Sequence, residues 1–89
     1  MEIEQSFVIM NELGLHARAA TRFVQTANRF SAEVEVEKDG QKVNGKSIMG
    51  VLMLVAAKGT TITVRSRGED AEAMMSALGS LIRNKFDEE

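Results

Sequence analysis

One short segment of the chain requires an antiparallel β-sheet. Between residues 32 and 37, alanine and valine alternate strictly with glutamate, which is the pattern of a strand with one buried and one wet face. Asp39-Gly40 follows, and this pair readily adopts the positive φ angles of a tight hairpin turn. Residues 41–44 are therefore predicted to form the returning strand.

Apolar residues spaced by three and four positions predict helices at residues 17–27 and 70–86. A further helix is expected to begin at Ser47, a preferred N-cap residue, and to end before Gly59. Glycine suits the left-handed position that follows a helix.

This middle helix is unusual because both of its sides are apolar. Four residues are predicted to pack inward: Ile48, Val51, Leu52 and Val55. The opposite side carries Met49, Met53 and Ala56. Such a helix is either buried on all sides or presents an apolar patch to a partner.

Weaker alternation at residues 3–9 and 60–67 predicts two more strands. The predicted order is therefore β-α-β-β-α-β-α, which indicates an α+β sandwich with one four-stranded antiparallel sheet and three helices on one face. Residues 1–89 form a single domain in this interpretation, since no linker or repeat interrupts them. Residues 87–89 are expected to be a frayed acidic end.

Composition argues against several classes of function. The net charge is −2 and the chain has no tryptophan or tyrosine, so the basic and stacking groups of a nucleic-acid binder are missing. There is no cysteine, which excludes disulfides and cysteine-ligated zinc. No apolar stretch resembles a signal peptide or is long enough to span a bilayer. A cytoplasmic protein without membrane insertion is expected.

The single histidine, His16, lies where the loop containing Gly14 gives way to the first helix. With no other histidine or cysteine, we expect no metal site there, and no serine lies in a nucleophile-elbow pattern. Direct attack by the imidazole on a phosphoryl group remains. Unpaired N–H groups of the helix and the guanidinium of Arg18 would bind the phosphoryl oxygens.

The residues alone leave a simpler interpretation open. His16 and Ser47 are both suited to cap helices without any chemistry, and Arg18 is suited to be a surface charge. Met49 and Met53 are then ordinary core residues. In that case the chain is a regulatory or ligand-sensing interaction module without phosphotransfer.

Two segments closely resemble HPr, the histidine phosphocarrier family of the phosphoenolpyruvate-dependent phosphotransferase system: GLHARAA at residues 14–20 and VNGKSIMGV at residues 43–51. The resemblance extends over nearly the whole chain and implies an open-faced sandwich. It implies a carrier rather than a free-standing enzyme, with no cofactor and no bound metal. A monomer would suit a carrier that meets two partners with one face.

The resemblance also implies residue roles. His16 would accept a phosphoryl group on Nδ1 from phospho-enzyme I and donate it to an enzyme IIA-type domain, with Arg18 assisting. Ser47 matches the serine that HPr kinase/phosphorylase phosphorylates. Partner contacts are expected at six residues: Ala17, Thr21, Ile48, Met49, Leu52 and Met53. A basic rim of Arg18, Arg22 and Lys46 would steer acidic partners to a small transient interface.

One residue departs from the family pattern. Most HPr sequences have proline immediately after the active-site arginine, where this chain has Ala19. The departure and the methionine-rich second helix favour the branch linked to nitrogen and potassium control over the branch for sugar uptake.

Ala19→Pro is predicted to accelerate phosphorylation of His16 by phospho-enzyme I. Proline in a first helical turn fixes φ at little cost in hydrogen bonding, so the loop that carries the imidazole becomes more rigid. Rapid-quench kinetics on the parent and the variant measure the effect. Equal or slower transfer in the variant would contradict it.

Overall fold

A computed structural model describes residues 1–88 and shows the predicted order of elements. These are β1 (Glu2–Val8), α1 (Ala17–Ala27), β2 (Glu33–Lys38), β3 (Gln41–Asn44), α2 (Ile48–Met53), β4 (Thr61–Arg67) and α3 (Ala71–Arg83), followed by a short 3₁₀ turn (Lys85–Asp87). No helix in this part of the chain has the length and apolar character needed to cross a bilayer.

The four strands form one antiparallel sheet in the order β1-β4-β2-β3. β2 and β3 pair through the predicted hairpin, and Asp39 and Gly40 have φ angles of 52° and 86° at its turn. β4 lies between β1 and β2, so the last strand joins the hairpin to the first strand.

The two faces of the sheet have opposite character. Phe7, Val36, Ile62 and Val64 are buried on one face. On the other face Arg65 forms ion pairs with three glutamates at 2.7–3.1 Å: Glu4, Glu35 and Glu37. The hydrogen bonds to Glu37 and Glu4 raise the pKa of the Arg65 guanidinium. The predicted α+β open-faced sandwich is confirmed.

The helices cover the apolar face. α3 packs against β1 and β4, and α1 packs against both α2 and α3. The predicted stripe of α3 is confirmed, since its apolar side chains are buried or partly buried. Several large side chains at the centre are almost wholly buried: Phe23, Ile62, Met74, Leu78, Ile82 and Phe86.

The prediction that α2 extends to residue 58 is wrong. The helix ends at Met53, and Val55 takes the left-handed position, with φ of 49°, that was expected of Gly59. The Lys38 ammonium donates to the carbonyls of Leu54 and Val55 at 3.2 and 3.3 Å. A cation at a helix C-terminus satisfies carbonyls that have no partner within the helix, so β2 helps to end α2.

The predicted inward face of α2 needs a related correction. Val51 is buried as expected, but Ile48 and Val55 are exposed. Leu54 and Ala56 are buried instead. Leu54 still has helical backbone angles and lies three positions after Val51, on the same face, whereas Ala56 follows the departure from the helical path at Val55. Leu52 is only partly buried.

The end of the described chain also differs from expectation. α3 stops at Arg83 rather than at Phe86, and Lys85, Phe86 and Asp87 all have positive φ angles. Phe86 is buried, which draws the chain back onto the core. The acidic residues Asp87 and Glu88 make specific contacts with α1 and the loop before it, so the prediction of fraying is wrong for them. Glu89 lies outside the described residues.

Gly14→Ala is predicted to destabilise the fold by about 3 kcal/mol, the combined cost of a positive φ and of overpacking. Gly14 has φ of 66°, and a Cβ there would collide with the Ala56 carbonyl oxygen. Gly40→Ala is the matched control, because its φ is 86° but nothing lies within 4 Å of the added carbon. It should cost about 1 kcal/mol. Urea unfolding measures both, and equal losses would contradict the proposed collision.

Candidate functional site

His16 occupies the N-cap position of α1, as predicted. Its backbone is extended, and its Nδ1 accepts a hydrogen bond from the Arg18 N–H at 3.3 Å. This N–H belongs to the first turn, where helical donors have no partner within the helix. The side chain is 26% exposed. The imidazole is therefore oriented by the helix while solvent and partners still reach it.

The loop before α1 is held by backbone contacts. Gly14 takes a left-handed conformation against Ala56 and Ala57, and the Leu15 N–H donates to the Ala56 carbonyl at 2.8 Å. The buried Asn11 side chain donates from Nδ2 to the Gly14 carbonyl at 2.8 Å. The segment that follows α2 thus supports the residue that precedes His16.

A carboxylate meets the other nitrogen of the imidazole. His16 Nε2 lies 2.5 Å from Glu88 Oε2, and the same oxygen accepts a hydrogen bond from Asn11 Nδ2 at 3.1 Å. The hydrogen bond from the imidazole holds the pKa of Glu88 below its ordinary value, although burial acts in the opposite direction. Asn11 and the charge of Arg18 also lower this pKa.

These partners assign the tautomer of His16. A carboxylate accepts hydrogen bonds and a backbone N–H donates them, so Nε2 carries the proton and Nδ1 presents its lone pair toward Arg18. A neutral imidazole of this kind is a nucleophile at Nδ1. The arrangement has the composition needed for phosphoryl acceptance: a nucleophile, a helix N–H and a neighbouring arginine.

The predicted basic residues differ in how they are engaged. Arg18 is exposed, and no side chain in residues 1–88 pairs with its guanidinium. Arg22 instead pairs with Asp87 at 3.0 Å, and the Lys46 ammonium donates to the Phe30 carbonyl at 2.7 Å. A shallow depression along α1 is lined by Ala17, Arg18, Thr21, Arg22 and Gln25.

Ser47 caps α2 as predicted, since its hydroxyl oxygen accepts the Gly50 N–H at 3.0 Å. The hydroxyl is part of the local structure and remains partly accessible. Beside it, Met49 and Met53 are 69% and 61% exposed, and Ile48 is 39% exposed. Because α2 packs against α1, the predicted contact residues of both helices belong to neighbouring elements.

Two residues of the site were missed by the sequence analysis. Asn11 lies three positions before Gly14, and asparagine ahead of a glycine turn is a recognisable signal for a loop that bonds its own backbone. Glu88 carries no such signal, because it is one of several acidic residues at the end of the sequence.

A second depression, on the open face of the sheet, lies near Arg65 and Arg67. Both arginines are paired with glutamates there. Because opposite charges in contact are satisfied within the sheet, these two arginines are already engaged, and the candidate site remains at His16.

Known proteins resemble the chain over nearly its whole length. The family model described as "PTS HPr component phosphorylation site" matches residues 3–84. Phosphocarrier protein HPr of Neisseria meningitidis is 52% identical over 86 residues, which is 97% of each chain. Phosphocarrier protein NPr of Shewanella violacea is 41% identical over 87 residues, covering 98% of this chain and 96% of that one. The crystal structure of HPr-C-His from Thermoanaerobacter tengcongensis is 47% identical, with a TM-score of 0.94 and 98% of each chain covered.

Proposed function

Because the chain belongs to the HPr family of the phosphotransferase system, we propose that it is a cytoplasmic phosphocarrier. In this proposal His16 accepts a phosphoryl group from phospho-enzyme I and passes it to an enzyme IIA-type domain. The observation that carries the proposal is the orientation of His16, whose Nδ1 faces the Arg18 N–H while Nε2 faces a carboxylate.

The transfer step follows from that orientation. The Nδ1 lone pair attacks phosphorus, and the bond between phosphorus and the phosphohistidine nitrogen of enzyme I breaks, leaving the electron pair on that nitrogen. Nε2 keeps its proton. The Arg18 N–H, no longer bonded to Nδ1, donates to a phosphoryl oxygen, and the Arg18 guanidinium binds another. Transfer to the acceptor domain reverses these contacts.

The modest number of donors suits a carrier. A phosphoryl group that is bound too tightly would not leave for the next partner, so both transfers must be nearly isoenergetic. The site offers the N–H groups of one helix and one exposed arginine. It therefore stabilises the adduct without enclosing it, while partner proteins have direct access to Nδ1.

Partners are proposed to dock on the surface of α1 and α2. Ile48, Met49 and Met53 are exposed apolar side chains on a helix next to the one that His16 caps, and apolar patches of this kind typify interaction surfaces. Leu52, Ala17 and Thr21 are the remaining proposed contacts. Arg18 supplies the charge that attracts an acidic partner.

Ser47 is proposed as a second phosphorylation site, which HPr kinase/phosphorylase would modify. A phosphate there adds nearly two negative charges at the start of α2, which the helix dipole favours. It would also repel an incoming phosphoryl donor and an acidic partner surface. Phosphorylation of Ser47 would therefore oppose phosphorylation of His16.

His16→Ala is predicted to abolish phosphoryl acceptance. The parent, incubated with radiolabelled phosphoenolpyruvate and enzyme I, should acquire acid-labile label, and the variant should acquire none. Ser47→Ala is the matched control and should be labelled like the parent. Label that persists in His16→Ala would refute the site, whereas an unlabelled parent would favour the interaction module without phosphotransfer.

Met49→Glu is predicted to slow phosphorylation by enzyme I by about tenfold or more, since it places a charge in a desolvated contact. Ala73→Glu, on the exposed side of α3, adds the same charge away from α1 and α2. Steady-state transfer rates measure both variants. Equal rates for them would overturn the docking assignment.

A further inference from the structure

The turn Lys85–Asp87 has an unfavourable backbone conformation, and it sets the positions of Phe86, Asp87 and the following Glu88. Its residues have φ angles of 57°, 55° and 63°, a left-handed conformation that is unfavourable for any residue other than glycine. A strained backbone of this kind persists where contacts elsewhere in the fold hold it in place. Here Phe86 is buried in the core and Asp87 pairs with Arg22 at 3.0 Å.

The consequence of this turn is the position of Glu88. Only 15% of its side chain is exposed. Its Oε2 accepts hydrogen bonds from both His16 Nε2 and Asn11 Nδ2. Asn11 is buried and also holds the Gly14 carbonyl. One asparagine therefore connects the carboxylate to the loop that carries His16.

We propose that Glu88 is a positioning residue for His16: held by Asn11, its carboxylate accepts a hydrogen bond from Nε2–H and directs the Nδ1 lone pair toward the N-terminus of α1. The part of this inference that concerns phosphoryl transfer depends on the proposed function. Glu88 does not touch the phosphoryl group, and it acts through the imidazole.

Glu88 is proposed to assist transfer through the charge of its carboxylate as well as through its position beside the imidazole. When Nδ1 forms its bond to phosphorus, positive charge develops on the ring and is shared with the protonated Nε2. A carboxylate 2.5 Å from Nε2 stabilises this charge, as the acidic member of a catalytic triad stabilises an imidazolium. An uncharged acceptor at residue 88 would orient the ring without this stabilisation.

The hydrogen bond between His16 and Glu88 should be lost at low pH, when the carboxylate becomes protonated. The pKa of Glu88 is lowered by His16, Asn11 and Arg18, while Asp87 in the same turn is paired with Arg22. The favourable contact of the ionised carboxylate is therefore complete above the ordinary pKa of a glutamate. It is lost as the pH falls through the lowered pKa of Glu88, so it is intact at neutral pH.

Glu88→Ala and Glu88→Gln separate orientation from charge. In ¹⁵N-labelled protein the parent should show a His16 Nε2–H proton signal protected from exchange, which Glu88→Ala should lose and Glu88→Gln should retain. Phosphorylation by enzyme I should slow by about tenfold in Glu88→Gln, which loses the charge-assisted hydrogen bond, and by more in Glu88→Ala, which also loses the orientation of the ring. Glu72→Ala, which removes an exposed acid of α3, should keep both the signal and the rate.

Several results would overturn the inference. An Nε2–H signal unchanged in Glu88→Ala would show that the contact does not orient the ring, and a parental transfer rate in both variants would show that the carboxylate does not assist transfer. Because the Nε2–H signal is measured without phosphate, it tests the positioning role separately from the proposed function. A parent that shows the signal, loses it in Glu88→Ala and accepts no phosphoryl group would retain the positioning role and refute the carrier.

Discussion

The site depends on the close approach of two backbone segments. Gly14 and Leu15 lie against Ala56 and Ala57, and the Leu15 N–H donates to the Ala56 carbonyl. The approach requires a residue without a side chain at Gly14 and a chain reversal at Val55, whose φ is also positive. Once both conditions are met, the loop ends where α1 begins and His16 becomes its N-cap. The cap and the contact of Nδ1 with α1 follow from this approach, whereas the tautomer also depends on Glu88.

Those parts of the fold that are specified by local patterns could be predicted from the sequence. The hairpin at Asp39-Gly40 and the stripe of α3 each depend on residues near one another in the chain. The end of α2 could not be predicted, because the apolar run continues past Met53. The helix is ended by partners from other elements, namely the Lys38 ammonium on the carbonyls of Leu54 and Val55. Tertiary contacts override a helical pattern in such cases.

The same distinction applies within the site. The position of His16 at the start of α1 could be predicted from the sequence, because its cap contact spans two positions and is made by the helix itself. The contact with Glu88 could not, since that residue is separated from His16 by 72 positions and its place depends on the burial of Phe86 and on the pair between Asp87 and Arg22. An acidic run at the end of a sequence ordinarily predicts fraying. Here the burial of Phe86, immediately before that run, changes the outcome.

Two of the basic residues predicted to attract partners have partners within the chain, which changes the interactions expected in the proposed docking. Arg22 and Lys46, predicted to attract partners, bind Asp87 and the Phe30 carbonyl within the chain. Arg18 remains as the charge beside His16, while Met49 and Met53 present most of their side chains to solvent. Apolar burial is largely insensitive to ionic strength, whereas attraction between exposed charges is screened within about 8–10 Å at physiological salt. In the proposed docking, the α1–α2 surface would therefore be recognised mainly by apolar contact, and Arg18 would set the orientation of the partner.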